Sequence, residues 1–96
     1  MSSSELYRLV GAIQLGDMTT YLGANGWQLD PSFPRKEVLL FLGPLADDGE
    51  PVEIALPASQ TAADFPARVR DAIITLAALA ERDELDVARD VCRSGL

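Results

Sequence analysis

Apolar residues recur every three to four positions near both ends of this chain and crowd or alternate in its middle, which predicts helices flanking a small sheet. Leu6, Leu9, Val10 and Ile13 share one face after a serine run that supplies an N-cap, so the spacing predicts a helix over about residues 4 to 15. Gly16-Asp17 breaks that phase. Asp17 is then the expected cap of a second short helix with Met18, Tyr21 and Leu22 on one face, and Asn25-Gly26 supplies its left-handed stop.

From Trp27 the period moves toward two. Trp27 to Asp30 reads as a short strand, and Pro31-Ser-Phe-Pro34 as a turn. A second strand is expected over about Glu37 to Leu42, and its run Val38-Leu-Leu-Phe-Leu42 is apolar on both faces. Such a strand is either covered on both sides or covered on one side by a partner. Asp47-Asp-Gly49 is turn chemistry, after which Val52, Ile54 and Leu56 alternate with Glu53 and Ala55 until Pro57. Near the C-terminus Asp64 is placed to cap a long helix with Pro66 in its first turn. Phe65, Val69, Ala72, Ile73, Leu76 and Ala80 form its apolar stripe. A last helix is expected after a cap at Asp83, with Leu85, Ala88, Val91 and Cys92 facing inward. The pattern is that of an α+β fold with N-terminal helices, a three-stranded mostly antiparallel sheet and two C-terminal helices.

Ninety-six residues with 48% hydrophobic content suit a single small domain, residues 1–96, with one core. The helical pattern stops close to Leu96, which leaves open that the domain is the front of a longer protein. Fifteen acidic against eight basic side chains give a formal charge of -7, which repels polyanions. Nucleic acid and anionic membrane are therefore not expected as partners. No apolar run is long enough to span a bilayer, and Met1-Ser-Ser-Ser-Glu5 lacks the basic and apolar parts of a signal peptide. With a lone cysteine, Cys92, the expected compartment is the cytoplasm.

Residues that carry chemistry are scarce. The chain has no histidine, the usual group for proton transfer near neutrality. Cys92 falls on the inward stripe of the last helix, which suits an inert packed thiol. Asp47, Asp48, Glu50 and Glu53 offer oxygens to a hard cation, but their spacing lacks the register of a calcium loop and reads as a solvated turn. One cysteine without histidine does not fill a zinc site. Gly23-Ala-Asn-Gly26 has a Gly-x-x-Gly spacing without any basic residue, and a helix stop accounts for both glycines. Arg35-Lys36 reads as edge protection. No catalytic, cofactor-binding or metal-binding residue is assigned, no cofactor is expected, and the chain does not read as an enzyme.

What remains is apolar surface. Trp27, Phe33, Phe41 and Leu45, with Tyr21 nearby, are candidate interface residues, against the alternative that they fill the monomer core. The expected role is a non-catalytic protein-interaction or assembly module that binds a protein partner or itself. Two alternatives stand beside it. One is a degenerate RNA-binding or ribonuclease-like fold. The other is a small acidic inhibitor, antitoxin or immunity-type protein presenting Asp47, Asp48, Glu50, Glu53 and Asp30 on one face.

The run Ala12 to Trp27, with "Tyr-Leu-x-x-x-Gly-Trp", then Val52 to Pro57, then Asp64 to Arg70 and Leu76 to Glu81, resembles the N-terminal part of longer uncharacterised bacterial proteins of actinobacterial type. That resemblance spans most of the chain and implies an organisation rather than an activity. A second resemblance is to HicA-type toxins, whose double-stranded-RNA-binding-like fold also sets a Gly-Trp ahead of a curved sheet. That family relies on a histidine in its second strand and a basic surface. The matching stretch Arg35 to Phe41 has no histidine and the domain is acidic, so the resemblance implies no ribonuclease activity.

Overall fold

In the computed structural model, which describes residues 2–95, helix α1 (Ser2–Ala12) turns Leu6 and Val10 into the core, with Leu9 partly covered, and Ile13 just beyond its end is buried with them. It stops earlier than the apolar spacing suggests, because Gln14 is already the N-cap of helix α2 (Leu15–Ala24). Asp17 acts from the third position of α2 instead of capping it: its carboxylate accepts the Gln14 N–H at 2.8 Å. The Leu15 N–H is satisfied from a distance, donating to Gln60 Oε1 at 3.1 Å. At the other end Asn25 is the C-cap, and Gly26 takes the left-handed conformation (φ 87°) that returns the chain to Trp27.

The strands are β1 (Gln28–Leu29), β2 (Val38–Leu45) and β3 (Pro51–Pro57), antiparallel throughout in the order β1-β2-β3. β2 is therefore the central strand, and it runs three residues past Leu42. The pairing with β3 slips between Leu42 and Leu45, where Gly43-Pro44 interrupts a regular ladder. Phe41 pairs with Ile54 and Leu39 with Leu56, and these four side chains point to the helices. Val38, Leu40 and Leu42 necessarily point the other way.

The register also explains the prolines of β3. Asp30 donates its N–H to Leu40 at 2.8 Å, and Ala58 donates to Glu37 at 2.9 Å. Even positions of β2 thus bond to β1 and odd positions to β3, and on β3 the residues 51, 53, 55 and 57 turn their backbone groups to the free edge. Pro51 and Pro57 occupy two of these positions, where a missing N–H costs no ladder bond. Only Glu53 and Ala55 offer amide donors there, which shortens the edge available to another strand.

Helix α3 (Phe65–Ala80) lies against β3, and α4 (Glu84–Ser94) packs on α1, α2 and α3. Phe65, Val69, Ala72, Ile73 and Leu76 are buried as their spacing predicts, whereas Ala80 is exposed and Ala77 is buried in its place. Asp64 stands at the N-cap of α3 with no side-chain hydrogen bond to the helix, and Pro66 sits in the first turn. The end of α3 is a Schellman turn: Arg82 N–H donates to Ala77 C=O at 2.9 Å and Glu81 N–H to Ala78 C=O at 3.3 Å. Glu81 accordingly adopts φ 54°, ψ 46°, which strains a residue bearing a Cβ. Asp83 caps α4, accepting the Leu85 N–H at 2.8 Å. Two ion pairs fasten α4, Arg89 to Glu5 of α1 at 2.7 Å and Arg82 to Asp90 at 2.8 Å. Both are solvent-accessible and contribute little beyond orientation.

Two substitutions test this architecture. Glu81→Gly removes the left-handed strain and is expected to raise stability by about 0.5–1 kcal/mol, read from denaturant midpoints at constant slope. Gly43→Ala works in the opposite direction, because a Cβ there would lie 2.5 Å from the Trp27 ring. The expected loss is about 1–3 kcal/mol. Since Trp27 is the only tryptophan, its emission reports the disturbed contact directly.

Candidate interaction surface

The four residues singled out as interface candidates do not form one surface. Trp27 and Phe41 are 6% and 5% exposed and belong to the core, so neither is available as a docking anchor. Their burial follows from local geometry. The Trp27 ring lies flat against Gly43, where β2 has no side chain, and Phe41 sits on the helix-facing side of the central strand. Phe33 is half-buried in the turn after β1. Leu45 alone projects, at 72% exposure, beside the acidic hairpin. Tyr21 is half-buried and lines a hollow with Trp27, Pro44 and Leu79.

The acidic tip is a turn held by its own backbone. Ala46 N–H donates to Glu50 C=O at 2.7 Å, Gly49 N–H to Ala46 C=O at 2.9 Å, and Glu50 N–H to Asp48 Oδ1 at 3.0 Å. Gly49 supplies the left-handed residue at φ 84°. Among the described residues no group of three or more His, Cys, Asp or Glu is placed to hold a metal ion. Arg35 pairs with Glu37 at 3.0 Å on the surface. The Cys92 thiol is half-buried, with Sγ 4.0 Å from the Leu9 carbonyl oxygen. Burial first, and the charge of Asp17 second, push its pKa up, which opposes thiolate formation.

The surface that stands out is the sheet face opposite the helices. Val38, Leu40 and Leu42 run along the middle of it on β2, and Ala55 and Pro57 lie beside them on β3. None of the five belongs to the cluster that joins the sheet to the helices. Leu40 is nevertheless buried, at 9% exposure; Val38 and Leu42 are half-buried and Ala55 is open. Glu53 opposite Leu42, and Asp30 opposite Leu40, set one carboxylate on each flank of this stripe. The Asp30 carboxylate is partly engaged by Ser32, which donates through its N–H and hydroxyl at 3.0 and 2.7 Å.

Other exposed apolar groups escaped the sequence reading. Tyr7 is 81% exposed on α1, and Ile74 and Leu79 project from α3. The signal was present: Ile73 and Ile74 are adjacent on an amphipathic helix, so one of them has to leave the stripe.

Comparison with protein-family models, curated proteins and solved structures finds no match for this chain. Among the described residues no helix is long and apolar enough to cross a membrane.

The raised Cys92 pKa carries a sign that experiment can read. The native thiol keeps a proton that the unfolded chain loses near the ordinary value of 9.0, so stability is full below that pH and falls above it. Cys92→Ala is expected to flatten the fall, seen as a smaller difference in unfolding free energy between pH 8 and pH 10 than in the unmutated chain.

Proposed function

We propose that this chain is a non-catalytic protein-interaction or assembly module whose open sheet face docks on another protein. One observation carries the reading: β2 is the central strand, apolar on both faces, yet the helices cover only one of them. A solvated face of an antiparallel sheet ordinarily alternates to polar residues. Val38 and Leu42, half-buried, and Leu40, buried, break that rule on the side the helices do not cover. Burial of the area that this stripe still exposes would contribute roughly 25 cal/mol per Å² of apolar surface removed from water, which favours a partner across it.

The flanking charges bear on which partner fits. In a face-to-face pair of copies, Glu53 and Asp30 would add like charges to two chains that each carry -7. A protein with an apolar centre and a basic rim meets no such repulsion. The same surface suits the inhibitor or immunity-type role, with Glu53 and Asp30 on the face and Asp47, Asp48 and Glu50 at the adjoining hairpin.

Ala55→Arg tests the proposal without emptying the core, because Ala55 is exposed opposite Leu40. The variant should stay within about 0.5 kcal/mol of the original stability. It should lose the specific protein that co-purifies with the tagged chain from its own cells. A partner retained at full yield by the folded variant, or the absence of any specific partner, would defeat the proposal.

A further inference from the structure

On the helical side, α1 and α3 enclose a groove whose two hollows meet at one arginine. The first, about 430 Å³, is lined by Tyr7, Val10, Gly11, Ala63, Pro66 and Ala67. The second, about 500 Å³, is lined by Leu6, Ile74, Ala78 and Leu85, with Arg82, Asp83 and Glu84 at its far end. Arg70 lines both. The groove arises because α1 leans on α4, where Glu5 meets Arg89, more than on α3. Small residues at Gly11, Ala63 and Ala67 then leave the gap unfilled.

Arg70 is distinctive in its position, at the junction of both hollows. Arg35, Arg68, Arg82, Arg89 and Arg93 each have a carboxylate within ion-pair distance, whereas among the described residues Arg8, Lys36 and Arg70 have none, and of these three only Arg70 lines the groove. A guanidinium without a carboxylate partner, at the junction of a mainly apolar hollow and one whose near part is lined by Leu6, Ile74, Ala78 and Leu85, is locally complementary to a carboxylate set between two apolar anchors. From Pro66 to Ala78 the α3 wall is about 18 Å long, the length of roughly three helical turns. Tyr7, 81% exposed at the rim, supplies an aromatic wall.

We propose that the α1–α3 groove binds an amphipathic helix of a partner protein, with apolar residues in the two hollows and a carboxylate on Arg70. This is the helix-in-groove mode of recognition. It is separate from the sheet face, so a chain using both surfaces would bridge two proteins.

The probe is a synthetic helical peptide with Leu at positions i and i+11 and Glu at i+4 and i+7. These four lie on one face, and the two Glu positions allow for either direction of binding. Its counterpart carries Lys at the two central positions. In fluorescence anisotropy the Glu peptide is expected to bind the unmutated chain at least about fivefold more tightly than the Lys peptide. Arg70→Glu, a surface change that leaves the thermal transition in place, should reverse that preference. Tyr7→Ala should weaken the Glu peptide, and Ala55→Arg should leave it unchanged. Saturable binding with this pattern supports the groove even if the sheet-face partner is never found. No binding of the Glu peptide, equal binding of both peptides, or a preference unaffected by Arg70→Glu would overturn it.

Discussion

Everything in this domain hangs on α3, the helix that joins the sheet to the remaining helices. Its residues must satisfy two neighbours at once: β3 on one side, α1 and α4 on another. That demand widens the buried arc to Phe65, Val69, Ala72, Ile73, Leu76 and Ala77. The alanines at 72 and 77 let backbones approach closely, while the larger residues supply most of the buried area, about 1.5–3 kcal/mol for each fully buried aliphatic side chain. Val69 and Ile73 are wholly inaccessible, as are Leu56 in β3 and Val87 and Val91 in α4 to within a percent or so.

A helix with two buried sides has little left to present to water, which is why Ile74 and Leu79 come to the surface and why the α1–α3 seam stays open. The same arrangement leaves the sheet covered from one side. A three-stranded sheet of this length has room for one helix layer, and α4, which packs on three helices, belongs behind α3 rather than across the strands. The apolar outer stripe of β2 and the groove around Arg70 are thus two results of a single packing solution. Both proposed surfaces follow from where the helices are, not from residues specialised for reaction.

Local devices reinforce this frame with modest energies. The Schellman turn at Glu81, the cap at Asp83 and the left-handed Gly26 each set the direction of the following element. The contact of Trp27 with Gly43 has a larger reach. It fixes the start of β1 against β2 at the point where the ladder slips, and so holds the shortest strand in place with few ladder bonds. Prolines at both ends of β3 limit strand addition at the free edge. The proposed docking through the sheet therefore uses its face rather than its edge.

Short-range pattern alone determined the order of elements, the α+β class, the caps at the start of α4 and the stop at Asn25-Gly26, because each depends on residues within one or two turns of each other. The stripe of α3 was legible for the same reason, down to Val69 and Ile73. The double-faced run Val38 to Leu42 also announced a central strand with one face in question. Only the tertiary structure decided the rest. Whether Trp27 and Phe41 dock a partner or fill a core depends on which face of the sheet the helices choose, and no local signal carries that choice. Gly43 shows its purpose only when the Trp27 ring is seen against it. Gln60 satisfies the start of α2 from 45 residues away. Arg70 looks like any other surface cation in the sequence, and its lack of a carboxylate partner becomes visible only when every other helix is in position. Pairing and isolation of side chains are properties of three-dimensional proximity, which a one-dimensional pattern specifies only for near neighbours.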